Sequence, residues 1–193
     1  MIQQKTKRLR IVPLTVEQMG DYIKQPQDWL WHTNWQIFLC SDSTPIGSLC
    51  FKGVPVNGSV EISYGINEPY RNQGYATEAV KAMLAWAFSQ QGVYFVTAET
   101  EKGNPASIQV LKKNGFVPAG EGTEGLLWEI EKPATSWMAI FMCLGLSIGI
   151  SFGTALDNTG SGLAIGMCIG LAIGVALDAQ DKATREKLKK ERR

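Results

Sequence analysis

From Val60 to Ile66 the chain alternates: Val60, Ile62, Tyr64 and Ile66 fall on one side, Glu61, Ser63 and Gly65 on the other. That period of two belongs to a strand with one buried face. From Ala76 the period lengthens. Ala76, Ala79, Val80, Met83, Leu84, Ala87 and Phe88 share one stripe of a helix running to about Ser89, the apolar face that such a helix turns to a core. The same signals give the other elements. "LRIVPLT" reads as a first strand and "TVEQMGDYI" as a helix capped by Thr15. The stretch from Trp35 to Cys40 and the run "PIGSLCFKG" form a strand pair joined by the turn residues "SDST". "VYFVTAET" is a buried-type strand. "NPASIQVLKKNG" is a helix with Asn104 as N-cap, Pro105 in its first turn and Gly115 as its stop, and "GLLWEIE" closes as a strand. The order strand, helix, strands, helix, strand, helix, strands predicts an α+β fold on one central sheet.

After Lys132 the pattern changes character. No charged residue occurs from Pro133 to Leu156, and none from Thr159 to Leu177. Each run is long enough to cross, or nearly cross, a hydrocarbon core of about 30 Å at about 1.5 Å per residue. Gly145, Gly149 and Gly153 share one helix face, as do Gly162, Gly166, Gly170 and Gly174. Repeated G-x-x-x-G lets helix backbones touch, a packing device of membrane helices. The segments at about 136–156 and 160–177 therefore read as a two-helix transmembrane hairpin turning at "DNTG". A soluble hairpin buried in an oligomer is the alternative, but a helical glycine costs about 1 kcal/mol relative to alanine in water, which favours lipid. The predicted organisation is a domain at 1–132, the hairpin within 133–177 and a basic tail at 178–193. That tail holds seven Lys/Arg against four Asp/Glu, which marks its end as cytoplasmic, and two crossings leave residues 1–132 on the same side. Trp137 suits the interface, the short linker "EKPATS" holds the domain close to the bilayer, and "KATREKLKKERR" reads as a solvated helical tail within reach of anionic headgroups.

Composition adds exclusions. With 19 Lys+Arg against 18 Asp+Glu the net charge is +1, and no nucleic-acid partner is expected. Four cysteines without a C-x-x-C pair and a single histidine argue against a metal site and suit buried free thiols in a reducing cytosol. The polar, basic start "MIQQKTKRLR" is followed by no apolar run and does not read as a cleaved signal peptide.

The stretch "PYRNQGYATEA" carries the chemistry. It joins the "VEISYGI" strand to the helix that begins near Ala76. Free N–H groups at a helix start, with the positive end of its dipole, form an anion site. Gly74 permits a backbone conformation or close approach that a Cβ would obstruct, Ala76 keeps the first turn small, and Arg71 and Gln73 offer side-chain donors. A phosphate or pyrophosphate is the natural ligand; a tight connection with a solvated arginine is the bland reading.

R-x-x-G-x-A after a "VEISYG" strand resembles the acetyl-CoA loop of the GNAT superfamily of N-acetyltransferases. "AETEKGNPASIQVLKKNGF" is similar to that family's second cofactor segment, and "IGSLCFKG" to its third strand. The resemblance covers about Leu9 to Lys132. It implies a GNAT-like mixed, mostly antiparallel sheet flanked by helices, with acetyl-CoA as co-substrate and no metal. Tyr64, Gly65 and Ile66 would meet the pantetheine arm through their backbone, where the strand splays from its neighbour and a bulge aims an N–H at the thioester carbonyl. Arg71, Asn72, Gln73, Gly74, Tyr75, Ala76 and Thr77 would wrap the pyrophosphate, and Asn104 and Ser107 would contact the pantetheine or adenosine-phosphate side. As bland readings, Asn104 is a good N-cap in any case and Ser107 faces water.

Acetyl transfer to an amine needs a neutral nucleophile, oxyanion stabilisation and a proton for the leaving thiolate. An ammonium with a pKa of about 10 must first lose a proton. Glu61, opposite Val60 and Ile62 on the strand that presents the thioester, is the first candidate base; Glu99, at the end of "VTAET", is the second. A solvated or salt-bridged carboxylate is the structural reading of either. Many family members carry a tyrosine immediately after the position matched by Leu111, where this chain has Lys112, so the acid stays open between Tyr64, Ser107 and unaided departure. Trp29, Trp31 and Trp35 read as core and pocket lining, and His32 as packed or solvent-facing. The expected function is a membrane-tethered N-acetyltransferase acting on an amine of a small molecule, an antibiotic or a peptide N-terminus, with membrane lipid and a homo-oligomer through the glycine seams as further partners. The rival readings are a non-catalytic acyl-CoA sensor whose output is oligomerisation, and a hairpin oligomer such as a pore with the domain as its regulator.

Overall fold

The computed structural model describes residues 2–14, 28–123 and 125–192. The expected helix "TVEQMGDYI" and its cap Thr15 lie outside these residues. The chain divides into two compact units, Met1–Lys132 and Pro133–Arg193, a border that coincides with the change in sequence pattern.

The first unit runs β1 (Gln4–Lys5), β2 (Leu9–Pro13), α1 (Trp29–His32), β3 (Asn34–Leu39), β4 (Pro45–Phe51) and β5 (Ser59–Ile66), then a 3₁₀ turn (Glu68–Tyr70) and α2 (Tyr75–Ser89). It continues through β6 (Phe95–Thr100), α3 (Pro105–Lys113), β7 (Val117–Glu121) and β8 (Leu126–Glu131). One sheet has the order β1-β2-β3-β4-β5-β6-β8-β7. Every neighbouring pair is antiparallel except β5 and β6, which are parallel. The alternation read from the sequence is the alternation of burial. Leu9, Ile11, Trp35, Ile37, Leu49, Phe51, Val60 and Ile62 are buried, and they form one core with Ala79, Val80, Met83, Leu84 and Ala87 of α2.

Trp86 joins that core from beside the predicted stripe. Its ring lies 4.7 Å from Trp31, 5.0 Å from Trp35 and 5.4 Å from Phe51, centroid to centroid. Trp31 and Trp35 are thereby core aromatics, and His32 at the end of α1 is exposed. The cysteines depart from expectation, since Cys40, Cys143 and Cys168 are exposed and Cys50 is half-buried. Neither β1, of two residues, nor β7, whose five residues are all exposed, carries an apolar pattern that a sequence reading could find.

The second unit is α4 (Trp137–Ala155) and α5 (Thr159–Glu191). The helices run antiparallel with their glycine faces together. A Cβ on Gly145 would meet the Gly166 carbonyl, one on Gly149 the Gly162 carbonyl, and one on Gly174 the backbone of Met138. Both glycine rows thus meet each other within the hairpin. The tail is also no separate element, because α5 continues unbroken past residue 177. There it supplies a cap: Asp178 accepts the N–H groups of Trp137 (2.8 Å) and Met138 (3.1 Å), orphan donors at the start of α4. Two turns on, Arg185 pairs with Asp181 at 2.7 Å and donates to the Pro133 carbonyl at 3.4 Å.

Candidate active site

Strands β5 and β6 pair only from Ser59↔Phe95 to Glu61↔Thr97. Beyond that point β5 follows β4 as far as Ile66 and β6 follows β8 as far as Thr100, so the two strands diverge and the sheet forks. The register of β5 against β4 is continuous from Ile62 to Ile66. The expected bulge in β5 is therefore absent, and the fork arises from the two strands staying with different partners.

Gly47 fixes one arm. A side chain there would strike the Gly65 carbonyl and press on Ile66, so its absence lets β4 lie close under the end of β5. The ladder then decides which backbone groups face the fork. The Glu61 carbonyl accepts from Lys52 and the Asn67 N–H donates to Ile46, so odd positions of β5 turn to β4. Gly65 is among them. The N–H and C=O groups of Tyr64 and Ile66 turn instead to the side that β6 has left.

The opening of the fork is a cleft of about 550 Å³. Its walls hold Tyr64, Gly65, Ile66, Arg71, Asn72, Gly74, Tyr75, Ala76, Thr77, Asn104 and Ser107, and also Tyr70, Ala106, Val110 and Lys113. The last four were not singled out in the sequence. Val110 and Lys113 follow from Ala106 and Ser107 by one to two turns of α3, so the helical period was the signal for them. Gln73 is not in the wall. Its side-chain amide donates to the Pro69 carbonyl at 3.2 Å, which removes it from the expected set of cleft donors.

Two left-handed residues shape the loop before α2, Asn72 at φ 60° and Gly74 at φ 80°. Asparagine tolerates this region and glycine enters it freely. Gly74 is the N-cap of α2 and has no side chain to close the helix start. The N–H groups of Tyr75, Ala76 and Thr77 consequently have no helical acceptor and lie at the cleft wall, a ready anion site. Arg71 donates through Nε to the Ile66 carbonyl at 3.0 Å, pinning the loop to the end of β5 while its guanidinium remains exposed.

Across the fork, Asn104 caps α3 by accepting the Ser107 N–H at 3.0 Å. The Tyr64 hydroxyl lies 2.9 Å from Ser107 Oγ and 3.3 Å from the Ser107 carbonyl. Burial pushes the Tyr64 hydroxyl above the ordinary phenol range, and the Ser107 hydrogen bond pulls more weakly the other way. The phenol therefore keeps its proton through neutral pH.

The carboxylate candidates have partners. Glu61, in the last pair before the fork, bonds Lys52 Nζ at 2.5 Å. Glu99 accepts from the Thr123 N–H and hydroxyl, both at 3.3 Å, and so holds the connection between β7 and β8. Lys112, which stands where the resemblance leads one to expect tyrosine, lies over the Trp128 ring at 5.9 Å and lines no part of the cleft.

Residues 2–117 match the acetyltransferase (GNAT) domain family. Over 96 residues the chain is 32% identical to the uncharacterized N-acetyltransferase YjdG of Bacillus subtilis, a stretch that takes in 49% of this chain and 57% of that relative. Among solved structures it is similar to a GNAT-family acetyltransferase from Bacillus anthracis, with a TM-score of 0.54 and 21% identity over 68% of this chain and 99% of the other. It is also similar to RimL, a ribosomal L7/L12 α-N-protein acetyltransferase in complex with coenzyme A, with a TM-score of 0.55 and 15% identity over 67% and 98%.

Proposed function

The chain belongs to the GNAT family of acetyltransferases, and from that premise we propose that it transfers acetyl from acetyl-CoA to an amine, with its catalytic unit tethered to a membrane by the C-terminal hairpin. One observation carries the catalytic reading: the fork between β5 and β6 opens onto the uncapped start of α2 on one side and the Tyr64–Ser107 hydroxyl pair on the other. When bound, acetyl-CoA supplies an activated thioester; the chain's own groups bind it, orient it and move protons. The N–H groups of Tyr75, Ala76 and Thr77 hold the pyrophosphate, and Gly74 leaves room for it. The backbone edge left at Tyr64 and at the Ile66 N–H, the Ile66 carbonyl being held by Arg71, takes the pantetheine amides as a missing strand would, and offers a donor to the polarised carbonyl oxygen. Glu61, at the apex of the fork, accepts the acceptor's proton directly or through water. Tyr64, protonated and within reach of Ser107, donates to the departing sulfur. The acceptor is an amine of a small molecule or a peptide N-terminus.

The tether rests on the second unit. Its two helices are long and apolar enough to cross a membrane, and large apolar side chains such as Leu144, Ile148, Phe152, Ile165, Ile169 and Ile173 are exposed around them. With the glycines spent on helix contact, what remains outward is a sleeve of aliphatic groups that water would not tolerate and lipid would. The same spending of glycines inside the chain weighs against a sensor whose output is oligomerisation through them. The test is calorimetric titration with coenzyme A, followed by thiol release from acetyl-CoA with a panel of amines and peptides in the presence of membranes. Binding in the low micromolar range and amine-dependent thiol release are expected. Binding without turnover on every acceptor would leave a sensor; no binding would overturn the cleft assignment.

A further inference from the structure

The turn joining β1 to β2 is bound to the first turn of α2. Thr6 Oγ1 accepts the Leu9 N–H at 2.9 Å, which closes the turn, and donates to Glu78 Oε1 at 2.5 Å. Arg8 approaches the same carboxylate twice, through its main-chain N–H to Oε1 at 3.0 Å and through Nε to Oε2 at 2.8 Å. The guanidinium then reaches further. Nη1 donates to the Gln73 carbonyl at 3.1 Å, and the plane lies over the Tyr75 ring, 4.5 Å from its centroid. Gln73 and Tyr75 flank Gly74, the left-handed N-cap. One side chain therefore grips the residues on both sides of the loop's most permissive position.

An exposed ion pair with a carboxylate contributes little by itself. The Arg8 side chain is 43% exposed, so the pair with Glu78 does not explain the arrangement. The fork does. A planar guanidinium can hold a carboxylate, a carbonyl and a ring face in one geometry, which an ammonium cannot. The peptide between Gln73 and Gly74 is planar and trans, so its carbonyl and the Gly74 N–H point in opposite directions. Fastening the carbonyl to Arg8 turns the N–H away from the N-terminal hairpin and holds a partially negative oxygen off the helix start. No described residue accepts that N–H.

We propose that Arg8 is a positioning residue for the phosphate-binding loop: without touching the ligand, it sets the Gln73–Gly74 peptide so that the donors at the start of α2 converge on one diphosphate. This rests on the reading of the cleft as an acetyl-CoA site. Glu78 orients the guanidinium, and Thr6 orients Glu78, so the N-terminal hairpin is the outer support of the binding loop.

The experiment compares the full chain with Arg8→Ala and Arg8→Lys. Coenzyme A binding is measured by calorimetry, and transfer is measured with acetyl-CoA and with S-acetylpantetheine, a donor that lacks the diphosphate. Arg8→Ala is expected to weaken coenzyme A binding by about tenfold and to raise KM for acetyl-CoA by as much, about what one charge-assisted contact sustains. Its kcat should stay within about twofold, and S-acetylpantetheine turnover should be unchanged, because only ground-state binding of the diphosphate is affected. Arg8→Lys, which keeps the charge without the fork, should not restore affinity. Unchanged affinity in Arg8→Ala, equal losses with both donors, or full rescue by lysine would each overturn the proposal. If the unmodified chain binds no coenzyme A, the acetyl-CoA reading itself falls, and this inference with it.

Discussion

The hydroxyls of Tyr64 and Ser107 meet at 2.9 Å although 43 residues separate them in the chain. Tyr64 ends on β5 and Ser107 sits in the first turn of α3, the two elements that face each other once β5 and β6 part. Their contact ties the two walls of the cleft, and in the proposed reaction it supplies the proton for the leaving sulfur. We predict that Tyr64→Phe lowers kcat by about 10²-fold, the low end of what a general acid contributes, with KM for acetyl-CoA little changed. Burial raises the Tyr64 hydroxyl above the ordinary phenol value. The protonated form is the donor, so the alkaline fall in kcat that it causes should begin above about pH 10, and the Phe variant should lack that limb. A wild-type rate in Tyr64→Phe would show that the thiolate leaves unaided.

The two carboxylates should separate in the same assay. Both carboxylates have partners, Glu61 the Lys52 ammonium and Glu99 the Thr123 N–H and hydroxyl, but only Glu61 stands at the apex of the fork. On one fixed panel of amine acceptors, Glu61→Gln should reduce kcat by about 10²-fold and Glu99→Gln by no more than about threefold. The reverse ranking would move the base to β6.

Gly74 has φ 80° and lies where the diphosphate is expected. Gly74→Ala adds left-handed strain of about 1 kcal/mol, and should weaken coenzyme A binding moderately. Gly74→Glu brings a negative charge to an anion site and should abolish binding in a calorimetric titration while the far-ultraviolet dichroism is retained. Undiminished affinity would remove the pyrophosphate from this loop.

Much of this site was legible because its supporting elements bury one face each. The alternation at Val60–Ile66 marked β5, the stripe from Ala76 marked α2, and "NPAS" marked the start of α3 with its Asn104 cap. What remained hidden depends on distance through space. Arg8 is 65 residues from Gln73 in the chain, and nothing in "KTKRLR" distinguishes its guanidinium from its neighbours. Gln73 resembles any loop donor in sequence; the turns at Asn72 and Gly74 send its amide to Pro69. The fork without a bulge was equally unreadable, because it depends on β6 pairing with β8 rather than on any residue of β5.

Acid should reveal the Thr6–Arg8–Glu78 cluster. Burial pushes the Glu78 carboxyl up, but the hydrogen bonds from Thr6 and Arg8 and the Arg8 charge outweigh it and leave it below the ordinary value. A carboxyl depressed in the folded state stabilises above its unfolded pKa, and that contribution is lost as pH falls through the lower folded value. The melting temperature of the chain should therefore exceed that of Glu78→Gln at pH 7. The gap should narrow as pH drops below about 4.5 and close at lower pH. A gap that persists at pH 3 would mean that Glu78 acts through packing and not through its charge.

The hairpin makes the last prediction, and two glycines that look alike in the sequence should behave oppositely. A Cβ on Gly149 would meet the Gly162 carbonyl and the Gly166 Cα, whereas one on Gly160 would meet nothing within 4 Å. Gly160→Ala removes backbone freedom in the first turn of α5 at no steric cost and should be neutral or stabilising by up to about 1 kcal/mol. Gly149→Leu forces α4 and α5 apart, and since lipid gives two apolar helices no hydrophobic reason to associate, loss of close backbone packing removes the main attraction between them. In detergent-solubilised protein whose own four cysteines are replaced by serine, a cysteine pair placed at Trp137 and Asp178, which meet in the wild type, should cross-link readily in the parent and in Gly160→Ala but poorly in Gly149→Leu. All three should resist extraction of membranes by alkaline carbonate, because insertion depends on the apolar sleeve and not on the seam. Release of the parent chain by carbonate would refute the membrane tether, and efficient cross-linking in Gly149→Leu would show that the glycines are not what holds the helices together.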